Sequence, residues 1–170
     1  GQKGGQRVFI NGCSGSVVES ADQIARMLGA TVSGSCSAES AQRARDLGVE
    51  TVFDYRTTDL SKLGERYDVV YDTSATMEVA VGLGLLRKGG AFLDINPTPV
   101  KFIRALFNRR LKPIVCTARA DILDRLARAA GEGKLKLPVA KIVPLADAIG
   151  LITALEQGRQ LNGKGLVSMH

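Results

Sequence analysis

Hydrophobic positions in this chain form short continuous runs that are separated by stretches with helical spacing. The first run, at residues 8–10, ends at a polar turn that is rich in glycine and serine. After the turn, apolar residues recur at intervals of three or four up to Leu28, as in an amphipathic helix. Residues 7–29 are therefore predicted to form a strand, a glycine turn and a helix.

Five further apolar runs follow, each separated from the next by a helical pattern. The runs lie at residues 30–34, 50–54, 67–72, 91–95 and 113–116, and the helical patterns at 39–47, 58–63, 77–86, 100–109 and 121–130. Apolar strands that alternate with helices indicate a parallel sheet covered on both faces. We therefore predict an α/β protein with a Rossmann fold, a doubly wound six-stranded parallel sheet in the order 3-2-1-4-5-6.

The last part of the chain does not continue this series. Residues 136–143 are extended and interrupted by Pro138, a helix begins at Leu145, and residues 163–167 form a final apolar run. We predict a dinucleotide-binding domain at 1–135 and a C-terminal strand–helix–strand appendage at 136–170, which would complete another domain. Because the chain starts at Gly1 without a methionine, we expect that it is processed or cut from a longer protein.

Composition narrows the classes of function. The 170 residues are 45% hydrophobic and 24% charged, which is ordinary for a globular protein, and no apolar run predicts a transmembrane helix. The net charge of +6 is spread over predicted helix faces without interleaved aromatic residues, so we predict no nucleic-acid partner. The cysteines Cys13, Cys36 and Cys116 are far apart and the single histidine is His170, so no metal site is expected. Three unpaired cysteines favour a cytoplasmic location.

The glycine turn is the main candidate for binding a ligand. Its spacing follows G-x-x-G-x-x-G, except that Val18 occupies the third glycine position. Unpaired N–H groups at the start of a helix bind phosphate, so we predict a pyrophosphate site at the turn. The turn residues are Gly12, Ser14, Gly15, Ser16 and Val17. The alternative is an ordinary loop between a strand and a helix.

Several segments, in this order, resemble the medium-chain dehydrogenase/reductase superfamily, closest to its zinc-independent, quinone oxidoreductase-like branch. They are GQRVFINGCSGSVV, VSGSCS, ARDLGVETVFDY, YDVVYDTSA, LLRKGGAFLDI, EGKLKLPVAKIVPLADA and GKGLV. The resemblance implies a nucleotide-binding oxidoreductase, of the quinone reductase, enone reductase or alcohol dehydrogenase type, that transfers hydride to a small molecule without a metal. The family's N-terminal GroES-like domain is absent from this sequence, so we expect the chain alone to be inactive.

The end of the second predicted strand bears on the choice of cofactor. An NAD-binding site usually has a carboxylate there, whereas this strand ends in hydroxyl residues that include Ser35 and Ser37. We therefore predict NADP (NADPH) rather than NAD. The basic residue that the resemblance implies after the serine is missing, and Glu39 lies nearby instead. Arg43 would replace it only by folding back, and we expect a solvated arginine there.

The resemblance also assigns residues beyond the turn, although none of them is identified as catalytic. It places Tyr55 near the adenosine phosphate. The residues expected to border the ribose and nicotinamide are Thr73, Ser74, Ala75, Ile95 and Asn96. Asp72 is predicted to cap a turn rather than to act as an acid catalyst. A homodimer through the sixth strand, from Pro113 to Cys116, is also implied.

Four residues depart from the family pattern around the turn. Ser16 and Val18 stand where glycine is more usual, and Glu19 and Asp22 add negative charge to the first helix. We expect these residues to weaken the binding of an anionic cofactor. A second hypothesis therefore remains open, in which a reductase-like domain with a degraded cofactor site acts as a structural or assembly module.

Overall fold

The computed structural model describes residues 5–13, 16–63, 67–117, 119–136, 139–159, 161 and 163–169, and for residues 16–18 it describes only the backbone. Six strands form one parallel sheet in the order β3-β2-β1-β4-β5-β6. They are β1 (Arg7–Asn11), β2 (Thr31–Cys36), β3 (Thr51–Asp54), β4 (Tyr67–Asp72), β5 (Leu86–Asp94) and β6 (Leu111–Pro113). This confirms the predicted fold class and strand order. The order reverses between β1 and β4, where a doubly wound sheet binds its ligand.

Helices connect the strands of this sheet, and one more follows its last strand. They are α1 (Ser16–Met27), α2 (Ala38–Asp46), α3 (Val79–Gly84), α4 (Pro99–Phe107) and α5 (Ala120–Gly131), and a 3₁₀ turn at Leu60–Lys62 follows β3. Local sequence explains the start of α4, because Pro99 has no N–H to satisfy and the Thr98 hydroxyl accepts the Lys101 N–H at 3.4 Å.

The central strand β1 contributes to a hydrophobic core on each face of the sheet. Val8 and Ile10 pack in one cluster with Val32, whereas Phe9 packs in the other with Phe92. Successive side chains of a strand point to opposite faces, so a continuous apolar run is buried on both sides. This is the physical reason why the uninterrupted runs in the sequence predicted a covered parallel sheet.

Three predicted segments were wrong, and in two of them pairing between strands overrode the local pattern. The fifth strand begins at Leu86, which pairs with Tyr67, so α3 ends before it and is shorter than the predicted helix. The segment 58–63 forms only a single 3₁₀ turn. The sixth strand is Leu111–Pro113 rather than the segment from Pro113 to Cys116, because β5 ends at Asp94 and offers no partner further along.

The C-terminal part forms a separate two-stranded parallel sheet from β7 (Val139–Pro144) and β8 (Lys164–Ser168). A 3₁₀ turn at Leu145–Asp147 and the helix α6 (Ala148–Glu156) connect the two strands. Large apolar side chains on these elements are exposed, Ile142 and Ile149 among them. Within the described ranges, no helix has both the length and the apolar character needed to cross a membrane.

Candidate functional site

A cavity of about 590 Å³ lies at the carboxyl ends of β1 and β4, where the strand order reverses. One wall comes from the loop after β3 and the other from the loop after β4. The lining residues are Asn11, Gly12, Tyr55, Thr58, Asp59, Leu60, Ser61, Ser74, Thr76, Met77, Glu78 and Val81. Its position is that of a ligand site in a doubly wound sheet.

Gly12 follows β1 and forms part of the cavity wall. Its φ of 87° is in the left-handed region, which glycine adopts at little cost. A Cβ atom here would lie 3.0 Å from Ser74 Cβ and 3.2 Å from Thr73 Oγ1. The Gly12 N–H donates to the Ser35 carbonyl at 2.9 Å. Both the conformation and the close approach of the next loop therefore require glycine at this position.

A buried hydrogen-bond network connects the ends of β2, β1 and β4. The Asn11 side-chain amide donates to Asp72 Oδ1 at 2.9 Å and to Ser74 Oγ at 2.8 Å. Its side-chain oxygen accepts from the Ser35 hydroxyl at 2.6 Å. The Ser35 side chain is therefore buried within the protein, and its hydroxyl is engaged by Asn11.

Two buried aspartates fix the loops that follow their strands. Asp72 accepts the backbone N–H of Ser74 at 3.2 Å and that of Met77 at 3.0 Å, which confirms its predicted role in a turn. Asp94, at the end of β5, accepts the Asn96 N–H at 2.8 Å, and its other oxygen lies 2.6 Å from Lys101 Nζ. Asp94 was not singled out from the sequence, although, like Asp72, it is the last residue of its strand and precedes a loop.

The structure brings some of the predicted site residues together. Gly12, Tyr55 and Ser74 line the cavity, and Thr73 donates from its hydroxyl to the Asn11 carbonyl at 2.6 Å. Ala75 has a φ of 60°, and Ser37 precedes α2. Ile95 and Asn96 follow β5 outside the cavity lining, and Ser16 and Val17 begin α1. Ser14 and Gly15 lie outside the described residues.

Most of the cavity wall was missed by the sequence analysis. No motif indicated the lining residues Thr58–Ser61, Thr76–Glu78 and Val81. The available signal was positional, because loops at the carboxyl ends of parallel strands form ligand sites whatever their sequence. The departure proposed at Val18 concerns a side chain that the structure does not describe.

The sequence suggested that Glu19 and Asp22 of α1 oppose an anionic ligand, but both residues are buried. The Glu19 side chain is only 1% exposed and forms an ion pair with Arg43 of α2. The expectation of a solvated arginine at Arg43 was therefore wrong, and its guanidinium compensates the charge of Glu19. Asp22 is also buried, 3.2 Å from Arg26, and burial raises its pKa more than Arg26 lowers it.

A known protein family matches most of the chain. Residues 47–167 match the zinc-binding dehydrogenase family. The chain belongs to that family. Its resemblance to the medium-chain dehydrogenase/reductase superfamily is thereby confirmed. Among the described residues, no three His, Cys, Asp or Glu side chains are grouped so as to hold a metal ion.

The chain also has individual relatives that support the same family assignment. It is 41% identical over 182 residues to the trans-enoyl reductase pgmF of Aspergillus terreus, covering 96% of the chain and 51% of that protein. It is 28% identical over 152 residues to a chloroplast envelope quinone oxidoreductase homolog of Arabidopsis thaliana, covering 83% and 46%. The structure of 2-haloacrylate reductase matches with a TM-score of 0.81 at 28% identity, covering 99% and 59%. The chain thus spans about half the length of these relatives.

Proposed function

We propose that this chain is the cofactor-binding part of an NADP(H)-dependent oxidoreductase that transfers hydride to a quinone, an enone or another small carbonyl compound. The main supporting observation is the cavity of about 590 Å³ at the switch point of the sheet, with Gly12 in its wall. Membership of the dehydrogenase family agrees with this use of the cavity. Relatives named as an enoyl reductase and a quinone oxidoreductase suggest the class of substrate.

The residues of the site fit a dinucleotide. Gly12 lets the turn after β1 lie close to the loop after β4, and the start of α1 offers N–H donors for a phosphate. The cavity beside Tyr55 suits an adenosine group, and Ile95 and Asn96 border the next loop along the sheet. A bound nicotinamide cofactor would supply the hydride chemistry, while the chain supplies position and electrostatics. The hydroxyl of Ser37 after β2 favours NADP over NAD.

Calorimetric titration of the chain with NADPH tests this proposal. We expect saturable binding, and we expect Tyr55→Ala to weaken it by about two- to tenfold, since an aromatic stack contributes about 0.5–1.5 kcal/mol. Phe107→Ala is the matched control, because Phe107 is an exposed aromatic residue of α4 outside the cavity. The absence of saturable binding would refute the proposal and favour the alternative of a structural or assembly module.

A turnover assay addresses the activity of the chain by itself. We propose that the substrate half of the cleft belongs to a segment outside this sequence, so NADPH and a simple quinone should give no turnover. Clear activity of the chain alone would contradict this point.

The cytoplasmic location also remains a prediction.

Homodimerisation is proposed through the β6 edge. Since β6 is Leu111–Pro113, that edge is shorter than the sequence indicated. Sedimentation equilibrium distinguishes the dimer from a monomer.

A further inference from the structure

The wall of the cavity is continuous with the carboxyl end of β2. Tyr55 lines the cavity, and its backbone N–H donates to the carbonyl of Cys36, the last residue of β2, at 3.3 Å. In doubly wound dinucleotide-binding folds, the ribose next to the adenine meets this end of the second strand. Side chains at this point determine whether a free 2′-hydroxyl or a 2′-phosphate is accepted.

An exposed ion pair spans this end of the sheet. Glu39 Oε1, in the first turn of α2, lies 2.8 Å from Nη1 of Arg56, the residue after Tyr55. The Arg56 guanidinium also lies over the Tyr55 ring, 5.6 Å from its centroid. The two side chains are 69% and 54% exposed, so both are accessible to a ligand.

The surroundings of Glu39 keep it ionised. Hydrogen bonds from its own backbone N–H and from the Ser37 hydroxyl, together with the Arg56 guanidinium, lower the pKa of Glu39 to about 2. At neutral pH the pair therefore consists of a full negative and a full positive charge beside the cavity.

The two charges have opposite preferences for the two dinucleotides. A carboxylate accepts hydrogen bonds from ribose hydroxyls but repels a phosphate, whereas a guanidinium binds phosphate through paired N–H donors. The pair thus contains one group suited to NAD(H) and one suited to NADP(H). Exposed ion pairs contribute little net free energy, so Glu39 is readily displaced from Arg56 by a stronger anion.

Arg43 is the basic residue that the sequence suggested for this role, and its environment differs. It forms an ion pair with Glu19, whose carboxylate is buried, so moving its guanidinium to a ligand would leave a buried charge uncompensated. Arg56 faces no such penalty, since the carboxylate it would leave is solvated.

We infer that Arg56 binds the 2′-phosphate of NADP(H), and that Glu39 opposes this phosphate and instead accepts the ribose hydroxyls of NAD(H). The inference rests on the proposed function, because it requires a dinucleotide in the cavity. The unmodified chain is therefore expected to bind both cofactors, with a modest preference for NADPH.

Calorimetric titrations with NADPH and NADH test the inference through opposite changes in two variants. Glu39→Gln is expected to raise the ratio of NADPH to NADH affinity by about tenfold, and Arg56→Gln to lower it by about tenfold, the scale of one charge-assisted hydrogen bond. Glu50→Gln and Arg109→Gln are matched controls. Glu50 precedes β3 at the amino end of the sheet, and Arg109 lies between α4 and β6 at the opposite edge. Both should leave the ratio unchanged.

Shorter ligands separate the 2′-phosphate from phosphate in general. With 2′,5′-ADP, Arg56→Gln should weaken binding by about tenfold, whereas 3′,5′-ADP and 5′-AMP should change little. Binding of dinucleotide with an unchanged ratio in both variants would overturn the inference and leave the proposed function intact. An equal loss of all three short ligands in Arg56→Gln would also overturn it. Failure of the unmodified chain to bind either dinucleotide would overturn both proposals.

Discussion

Replacing Arg43 by glutamine should destabilise the fold through the carboxylate that remains. Glu19 is 1% exposed and Arg43 is 31% exposed, so the substitution leaves a buried charge without its partner. Among the described residues, Glu19 Oε2 already has no hydrogen-bond partner. Breaking a buried ion pair from one side costs about 3–5 kcal/mol, and because Arg43 is partly solvated we expect about 2–4 kcal/mol.

Urea denaturation measures this loss directly. The midpoint should fall while the slope of the free energy of unfolding against urea is unchanged, since the surface exposed on unfolding is the same. For a chain of this size, each kcal/mol corresponds to about 2–4 °C in thermal midpoint, so the shift is visible in a melting curve. Arg45→Gln is the matched control, because Arg45 is an exposed arginine on the same helix. It should change stability by less than about 0.5 kcal/mol.

The double variant Glu19→Gln with Arg43→Gln decides whether the buried charge is the cause. Removing both charges eliminates the desolvation penalty, so stability should return to within about 1 kcal/mol of the unmodified chain. The reasoning is refuted if Arg43→Gln matches the unmodified chain, or if the double variant is as unstable as the single one.

Three further substitutions follow from buried groups and glycines. Burial raises the folded pKa of Asp22 above its ordinary value of 3.8, so its ionisation destabilises the fold as pH rises through that window. In urea denaturation, the Asp22→Asn variant should therefore be more stable than the unmodified chain at pH 7. The two should be equally stable below about pH 4, where the aspartate is protonated in both states. Greater stability of the unmodified chain at pH 7 would contradict this. Gly82→Ala would place a Cβ 2.7 Å from the buried Phe92 ring and should lower the free energy of unfolding by about 1–3 kcal/mol. Gly84→Ala on the same helix is the control, because its Cβ would meet no atom within 4 Å. Equal melting temperatures of the two variants would contradict this prediction. Gly12→Ala should lower the melting temperature and weaken NADPH binding, because its φ of 87° strains any other residue; unchanged values for both would exclude that strain.

The fold was predictable because burial on both faces leaves a clear pattern. The run Val8–Ile10 is continuous because its successive side chains face opposite cores, and in β4 Val69 and Val70 likewise pack in different clusters. Boundaries were less predictable where pairing decided them. Leu86 belongs to a helical pattern in sequence, yet it pairs with Tyr67 in the sheet. No local rule distinguishes these two outcomes.

The site was predictable only as far as its backbone turn. Glu19 and Arg43 are 24 positions apart and meet because α1 and α2 pack on the same side of β2, so their pairing has no local signal. The same is true of Glu39 and Arg56, which are 17 positions apart. In the sequence, Glu39 and Arg43 stand as separate charges near a predicted phosphate site. In the folded chain Glu39 pairs with Arg56, and Arg43 pairs with the buried Glu19. These partners decide which of the charged side chains is accessible to a ligand.

A row of polar side chains lies in register across the sheet, and one of them, Asn11, lines the cavity. Ser35 is the neighbour of Asn11, Asn11 of Asp72, and Asp72 of Asp94. Asn11, Asp72 and Asp94 end their strands, and Ser35 is one residue before the end of β2. Every polar residue of this row is buried, and its hydrogen bonds hold another strand end or a loop.

The hydrogen bonds of this row hold the loops after β4 and β5. Buried polar groups cost free energy unless they are paired, so these two loops are fixed when the sheet closes. The other wall of the cavity comes from the segment after β3, which includes Tyr55 and Thr58–Ser61, so this row holds only one of the two walls. By contrast, Ile142 and Ile149 of the C-terminal part expose apolar surface that the described chain leaves uncovered. The cavity and this uncovered apolar surface therefore belong to different sheets, and the dinucleotide proposed above concerns only the first of them.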